Sequence, residues 1–206
     1  MALTKSWLVL SLLVYSCAFL VGCVLMGFEM LGSRYLFPYF GGGIGTWASL
    51  ISTVLCALAI GYFAGSSIVA RHPSPRTIAV SIVIAAAYLA GVPAAADPVM
   101  SRILSAIGDG AWATLLASTA LLLVPLTLLG TFSPIAVSLL ARKADDAGRV
   151  AGLVYGVSTI GNVVGTLLTT FTLIPTIGSR AITYIFAVVL AACAAALFLP
   201  SPKQLS

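Results

Sequence analysis

Six long apolar runs constrain the fold of this sequence more than any other feature. They lie at about residues 7–31, 46–69, 77–94, 111–141, 151–174 and 181–199. A helix that crosses a bilayer needs ~20 predominantly apolar residues, so each run is long enough for one crossing. Hydrophobic residues make up 61% of the chain and charged residues 7%, which excludes an ordinary soluble domain. We therefore predict an all-α polytopic membrane protein in which residues 1–206 form one transmembrane domain.

The cysteine, histidine and charge content of the chain restricts its chemistry. All four cysteines lie inside apolar runs without CxxC spacing, which is typical of small buried apolar residues. The single histidine, His72, rules out a multi-histidine metal site. The net charge of +5 reflects loop lysines and arginines, as expected for a membrane protein, and does not indicate nucleic-acid binding. We expect the lipid bilayer as a partner, and no metal, cofactor or nucleic acid.

The basic residues between the runs predict the orientation of the chain. Seven of them fall on one side of the membrane and three on the other. The seven are Lys5, Arg71, Arg76, Arg142, Lys143, Arg149 and Lys203, and the three are Arg34, Arg102 and Arg180. Because lysine and arginine accumulate in cytoplasmic loops, we expect both termini in the cytoplasm. We assign the chain to a plasma membrane of the bacterial inner-membrane type.

Glycine and proline predict the end of the third span. Gly91 and Pro93 should end this span near residue 94. Asp97 and Pro98 should then begin a short amphipathic helix, at about 97–108, as its N-cap and its first helical residue. We expect that helix to lie on the membrane surface.

Two further segments concern the fourth and first spans. Pro125 and Pro134 lie inside the fourth span, and each should bend it because each removes a backbone hydrogen bond. Leu20–Cys23 resembles a lipoprotein signal-peptidase site, but apolar sequence continues past Cys23 to Met26 without a break. We therefore expect the first span to be retained and not to be cleaved as a signal segment.

A polar stripe runs along the otherwise apolar fifth span. Its members recur at steps of three and four, so they share one helix face. They are Tyr155, Thr159, Asn162, Thr166 and Thr169, flanked by Gly152 and Gly156 on one side and by Gly161 and Gly165 on the other. These glycines should allow close neighbours on both sides. In hydrocarbon the polar groups need partners, which leaves two interpretations: hydrogen bonds between helices, or a cavity that binds a solute.

Glu29 and Arg34 lie near the far end of the first span. They are five residues apart, so a straight helix points them in different directions, whereas an end or bend at Gly32 would let them meet. Two interpretations stay open: an ion pair at the interface, or a substrate or proton site at a cavity mouth. The candidate substrate-binding residues are Glu29, Arg34, Tyr155, Thr159, Asn162 and Thr166. No nucleophile–base pair is readable, so we name no catalytic residue.

Six spans with both ends inside form half of a major-facilitator transporter. The segment Gly61–Gly65, followed by Arg71 and Arg76, resembles the loop motif of that superfamily, although Ala70 stands where the motif has an aspartate. A charge-relay role for this loop does not carry over without that aspartate.

A closer resemblance, over nearly the whole chain, is to the membrane region of spermidine synthase-like proteins, in which a facilitator-like part is fused to a synthase. The segments that carry it are Glu29–Arg34, Phe40-Gly41, Gly61–Arg71, Leu128–Gly130 with Ser133-Pro134, Gly148–Tyr155, Ser158–Thr166 and Leu173–Arg180. In that family an aminopropyltransferase-like domain often follows the membrane part. This sequence contains no strand–GxG–helix unit, so the resemblance implies a link to polyamines and not the enzyme activity.

Three functions fit these observations. The first is transport of a small organic solute, with a polyamine or related cation suggested by the resemblance. Because major facilitators use two six-helix halves, this chain would work as a homodimer, with Glu29 and Arg34 at the outer mouth of a central cavity. The second is a non-transporting anchor or regulatory subunit for a soluble spermidine synthase-like partner. The third, a membrane enzyme, has the least support.

Overall fold

The computed structural model describes residues 2–69, 74–141 and 143–198, with side chains from Trp7 onward. Within these residues the chain is helical almost throughout. The α-helices are α1 (Ala2–Phe40), α2 (Ile44–Val69), α3 (Pro75–Ile107), α4 (Ala111–Gly130), α5 (Phe132–Leu140), α6 (Ala147–Leu168), α7 (Ile174–Thr176) and α8 (Ser179–Phe198). A 3₁₀ turn at Ala144–Asp146 precedes α6, and a π-helical segment at Thr169–Leu173 follows it.

Six helical stretches of the described chain are long and apolar enough to cross a bilayer, which confirms the predicted fold class. Spans 1 to 6 are Trp7–Phe40, Ile44–Val69, Pro75–Ile107, Ala111–Leu140, Ala144–Thr176 and Ser179–Phe198. We name the two ends of the bundle after Arg149, at the start of α6, and Arg180, at the start of α8. The inferred loop motif and charge count depend partly on Ala70, Arg71, Arg142, Lys203 and the Lys5 side chain, which lie outside the described residues.

The spans associate mainly in three pairs. Span 1 packs against span 5, span 2 against span 4, and span 3 against span 6. Contacts of span 3 with span 4 and of span 1 with span 6 join these pairs into one bundle. The pairing pattern is symmetric between the two halves of the chain. If span 1 is exchanged with span 4, span 2 with span 5 and span 3 with span 6, the same pairs result.

Glycines bring the backbones of α1 and α6 into direct contact. A Cβ atom at Gly161 would lie 2.2 Å from the carbonyl oxygen of Phe19, and one at Gly165 would lie 2.1 Å from that of Cys23. On the other helix, a Cβ atom at Gly22 would lie 2.3 Å from the carbonyl oxygen of Ser158. Lipid tails are as apolar as leucine, so close packing of this kind is a main source of attraction between membrane helices.

A second glycine contact joins α2 to α4 and α5. A Cβ atom at Gly61 would lie 2.5 Å from the Thr127 carbonyl oxygen, and one at Gly65 would lie 2.5 Å from the ring of Pro134. The fourth span is interrupted at Thr131, between α4 and α5. Pro134 explains this interruption, because it cannot donate to the carbonyl four residues earlier. Pro125, by contrast, leaves α4 unbroken.

The predicted end of the third span at residue 94 and the separate surface helix at 97–108 are both wrong. α3 runs without a break through Gly91, Pro93 and Pro98 to Ile107, over 33 residues or ~50 Å. Pro93 is buried in the bundle, and a membrane helix tolerates such a proline because neighbouring groups satisfy the freed backbone. Gly108 does end the helix, in a positive-φ conformation that suits glycine.

Candidate functional site

Glu29 is an acidic residue that is largely buried in the bundle. It is 7% exposed, whereas Arg34 lies exposed on the same helix. α1 continues unbroken through Gly32, so of the two alternatives considered there, a helix end is excluded. A Cβ atom at Gly32 would lie 3.0 Å from the Leu50 side chain, which makes this glycine a packing position. Within the described residues neither Glu29 nor Arg34 forms an ion pair, so they do not neutralise each other.

Glu29 lies on the side of α1 between span 5 and spans 2 and 4. Residues seven apart on a helix share a face, so Glu29 shares the face of Gly22, which contacts Asn162. Three residues after Glu29, Gly32 contacts Leu50 of α2 and Leu122 of α4. Glu29 is ten residues, or ~15 Å of helix, before Tyr39, whose hydroxyl donates to Asp97 at the Arg180 end.

The polar stripe of span 5 changes its exposure along the helix. Tyr155 is 41% exposed and Thr159 is also exposed, Asn162 and Thr166 are half-buried, and Thr169 is fully buried. A repeat of about 3.5 residues drifts around a helix of 3.6 residues per turn, so the stripe turns from the bundle surface near the Arg149 end into the interior. The hydroxyls of Thr159 and Thr166 donate to the carbonyls of Tyr155 and Asn162 in their own helix. These two threonines therefore need no other partner.

Four buried polar atoms lack such a partner within the described chain. They are Oδ1 of Asn162 and the Oγ1 atoms of Thr53, Thr169 and Thr170. Asn162 Oδ1 lies 3.0 Å from the position a Cβ atom of Gly22 would occupy, at the contact of α1 and α6. An unsatisfied buried group costs ~1–3 kcal/mol, so each one calls for an explanation such as water or a bound molecule. Thr169 and Thr170 belong to the π-helical segment, a distortion frequent at functional sites.

Span 5 presents the least covered surface of the six. Only 17% of its most apolar window is buried, against 39–61% for the other spans. Tyr155 on this span meets Tyr62 of α2 edge to face, with ring centroids 6.2 Å apart. We call the side formed by α2 and α6 around this tyrosine pair the open face. Gly152 and Gly156, expected to receive a neighbouring helix, have no atom within 4 Å of an added Cβ, so they contact nothing in one copy.

A polar cluster closes the Arg180 end of the bundle. Arg180 of α8 forms a salt bridge with Asp97 of α3, which also accepts a hydrogen bond from Tyr39 of α1. One level deeper, the Tyr35 and Thr183 hydroxyls lie 2.9 Å apart. This cluster joins spans 1, 3 and 6. Sequence reasoning missed it, since no local pattern connects Asp97 to Arg180.

Sequence reasoning also missed Thr53 and Thr170 as buried hydroxyls without a partner among the described residues, and Tyr62 as the ring that contacts Tyr155. Thr53 shares a face with Thr46 and Ser49, which was the available signal for it. Nothing in the local sequence distinguishes Thr170 or Tyr62. No group of three or more His, Cys, Asp or Glu side chains able to hold a metal occurs in the described part of the chain.

The fold defines an integral membrane protein of six candidate spans. Comparison of the chain with protein family models, curated proteins and solved structures gives no match. The resemblance to the membrane region of spermidine synthase-like proteins therefore stays a prediction from the sequence.

Proposed function

We propose that this chain transports a small organic solute as a facilitator-like homodimer of six-span halves. The observation that carries this proposal is Glu29, a residue only 7% exposed whose carboxylate has no cationic partner among the described residues. Removing such a charge from water costs several kcal/mol unless it is paired. A cationic solute would supply the missing partner, and the sequence resemblance makes a polyamine or related cation the class to test.

The arrangement of the spans supports the homodimer. Major facilitators combine two six-helix halves, and each half contains two three-helix repeats. A pairing pattern unchanged by exchange of spans 1–3 with spans 4–6 is what such repeats would produce. The open face leaves Tyr155, Thr159 and the unfilled positions of Gly152 and Gly156 available to a second copy. In the proposed orientation both termini are cytoplasmic, and Arg34 lies at the outer mouth.

Flux measurements with purified protein in proteoliposomes test the proposal. We expect wild-type vesicles to accumulate radiolabelled spermidine above protein-free vesicles, and Glu29→Gln to abolish the difference, because the amide removes the charge while keeping the shape. Asp109→Asn is the matched control, since Asp109 is an exposed carboxylate outside the bundle. Wild-type flux in Glu29→Gln would refute the role of Glu29. Equal loss in both variants would refute a specific site.

The second function, an anchor for a soluble synthase-like partner, is favoured by one feature. The connection before α6 and the first turn of that helix expose four charged residues at the Arg149 end: Lys143, Asp145, Asp146 and Arg149. Such a charged turn suits a reversible protein contact. Absence of flux for any polyamine, together with stoichiometric co-purification of a soluble protein from membranes, would replace the transport proposal with this one.

A further inference from the structure

A cleft opens at the Arg149 end of the bundle, between α1, α5 and α6. Its volume is about 370 Å³, which lies within the range of small-molecule sites. The wall includes Trp7 and Tyr15 of α1, Leu140 of α5 and Arg149 of α6, with Asp146 just before α6. We call it the Arg149 cleft. Its lining includes neither Glu29 nor the Tyr62–Tyr155 pair, so the inference drawn from it does not depend on transport.

The Arg149 cleft lies at the ends of three candidate spans, where the boundary between lipid and water is expected. Trp7 begins span 1, Leu140 ends span 4, and Arg149 lies near the start of span 5. Tryptophan and tyrosine side chains prefer this boundary, at the level of the lipid headgroups. Asp146 and Arg149 are exposed, whereas Leu140 is 2% exposed. The cleft therefore combines a charged mouth with an apolar wall.

The two charged residues at the mouth of the cleft do not form an ion pair with each other. Asp146 and Arg149 are three residues apart, a spacing at which an ion pair is common on a helix. They form none, since the ion pair of the described residues joins Asp97 to Arg180. Asp146 occupies the N-cap position of α6, yet its side chain makes no capping hydrogen bond. One carboxylate and one guanidinium thus face the same cleft with both charges available.

This pattern complements a zwitterion that carries a phosphate and an amine. Arginine binds phosphate through paired, charge-assisted hydrogen bonds, and a primary ammonium offers three N–H donors to a carboxylate such as Asp146. The rings of Trp7 and Tyr15 add faces that attract a cation. Below the charges, Leu140 and Leu153 offer apolar contact to an acyl chain.

We propose that the Arg149 cleft binds the headgroup of phosphatidylethanolamine from the adjoining leaflet. Arg149 binds the phosphate, and Asp146 binds the ammonium group. The first acyl carbons follow the wall formed by Leu140 and Leu153 into the membrane. The lipid, and not a soluble phosphate, is the ligand because the charged mouth and the apolar wall are continuous at the membrane boundary.

Native mass spectrometry of the full chain in detergent tests this site. Palmitoyl-oleoyl phosphatidylethanolamine, the corresponding phosphatidylglycerol and soluble glycerophosphoethanolamine are added separately. We expect wild type to retain phosphatidylethanolamine about tenfold more tightly than phosphatidylglycerol, the size expected for one charge-assisted hydrogen bond. It should also retain the lipid more tightly than the soluble headgroup, which lacks the acyl chains that contact the apolar wall. Asp146→Asn should remove the preference over phosphatidylglycerol, and Arg149→Gln should weaken retention of both lipids.

Asp145→Asn is the matched control, because it makes the same change one residue away at an exposed position that does not line the cleft. It should retain the wild-type preference. Equal retention of the two lipids by wild type would overturn the role of Asp146. Equal effects of Asp145→Asn and Asp146→Asn would overturn the site, and binding of the soluble headgroup as tightly as the lipid would overturn the lipid as its ligand.

Discussion

The contact between α1 and α6 should respond sharply to one added methyl group. In Gly165→Ala the new Cβ would lie 2.1 Å from the Cys23 carbonyl oxygen and 2.5 Å from its Cα. Close C–H···O contacts between helices have C···O distances of about 3.3 Å or more, so the backbones must separate by about 1 Å at this point. A gap of ~1 Å forfeits up to half of the dispersion attraction of each affected contact.

We expect Gly165→Ala to lower the free energy of unfolding by about 1–3 kcal/mol, the usual cost of overpacking. The strain falls on backbone atoms of Cys23, so a side-chain rotation cannot relieve it. Steric trapping in bicelles measures this free energy in a lipid environment. The double variant Gly161→Ala/Gly165→Ala should cost less than the sum of the single variants, because one separation of the helices relieves both clashes.

Gly148→Ala is the matched control on the same helix, at a position that is not part of the open face. Its Cβ would meet no atom within 4 Å, so its stability should lie within about 0.5 kcal/mol of wild type. The reasoning would be refuted if Gly148→Ala and Gly165→Ala changed the stability equally. It would also be refuted if Gly165→Ala had no measurable effect.

Two further predictions concern the core and the Arg180 end. Phe28→Ala should lower the free energy of unfolding by at least about 2 kcal/mol, because Phe28 is fully buried and its removal leaves a cavity. Phe171→Ala should change this free energy little, because Phe171 is 74% exposed. Equal effects of the two variants in the steric-trapping assay would contradict this prediction. Asp97→Asn should lower the free energy of unfolding by less than about 1 kcal/mol, and by less still in high salt, because the Asp97 and Arg180 side chains are 53% and 65% exposed. A larger loss of stability that does not change as salt is added would show that the pair is effectively buried.

Composition and periodicity suffice to predict the membrane class and the six spans. Apolar length and composition determine whether a helix can cross a bilayer, and the described chain contains six such helices. The ends of the helices are harder to predict than the number of spans. Pro93 does not end α3, because a proline that would end a helix in water is tolerated in a packed membrane helix. A proline also follows the interruption of span 4, at Pro134, and the residue type alone does not distinguish the two positions.

The candidate site was predicted less completely than the fold. The sequence places Gly161 and Gly165 on one side of the polar stripe and Gly152 and Gly156 on the other, and α1 covers only the first pair. Which side is covered depends on how the helices cross, and the period of one helix carries no information on that. Likewise, the burial of Glu29 depends on spans 2, 4 and 5, which are distant from it in sequence.

The oligomeric mass in lipid nanodiscs tests the central claim most directly. Six spans in one copy leave the open face of α2 and α6 uncovered, and the proposed pathway needs a second copy against it. The account predicts a protein mass of twice 21.1 kDa for the species that carries flux, and a return to one copy when Gly156→Trp places a bulky side chain on that face. A strict monomer of 21.1 kDa that still transports the solute would contradict it.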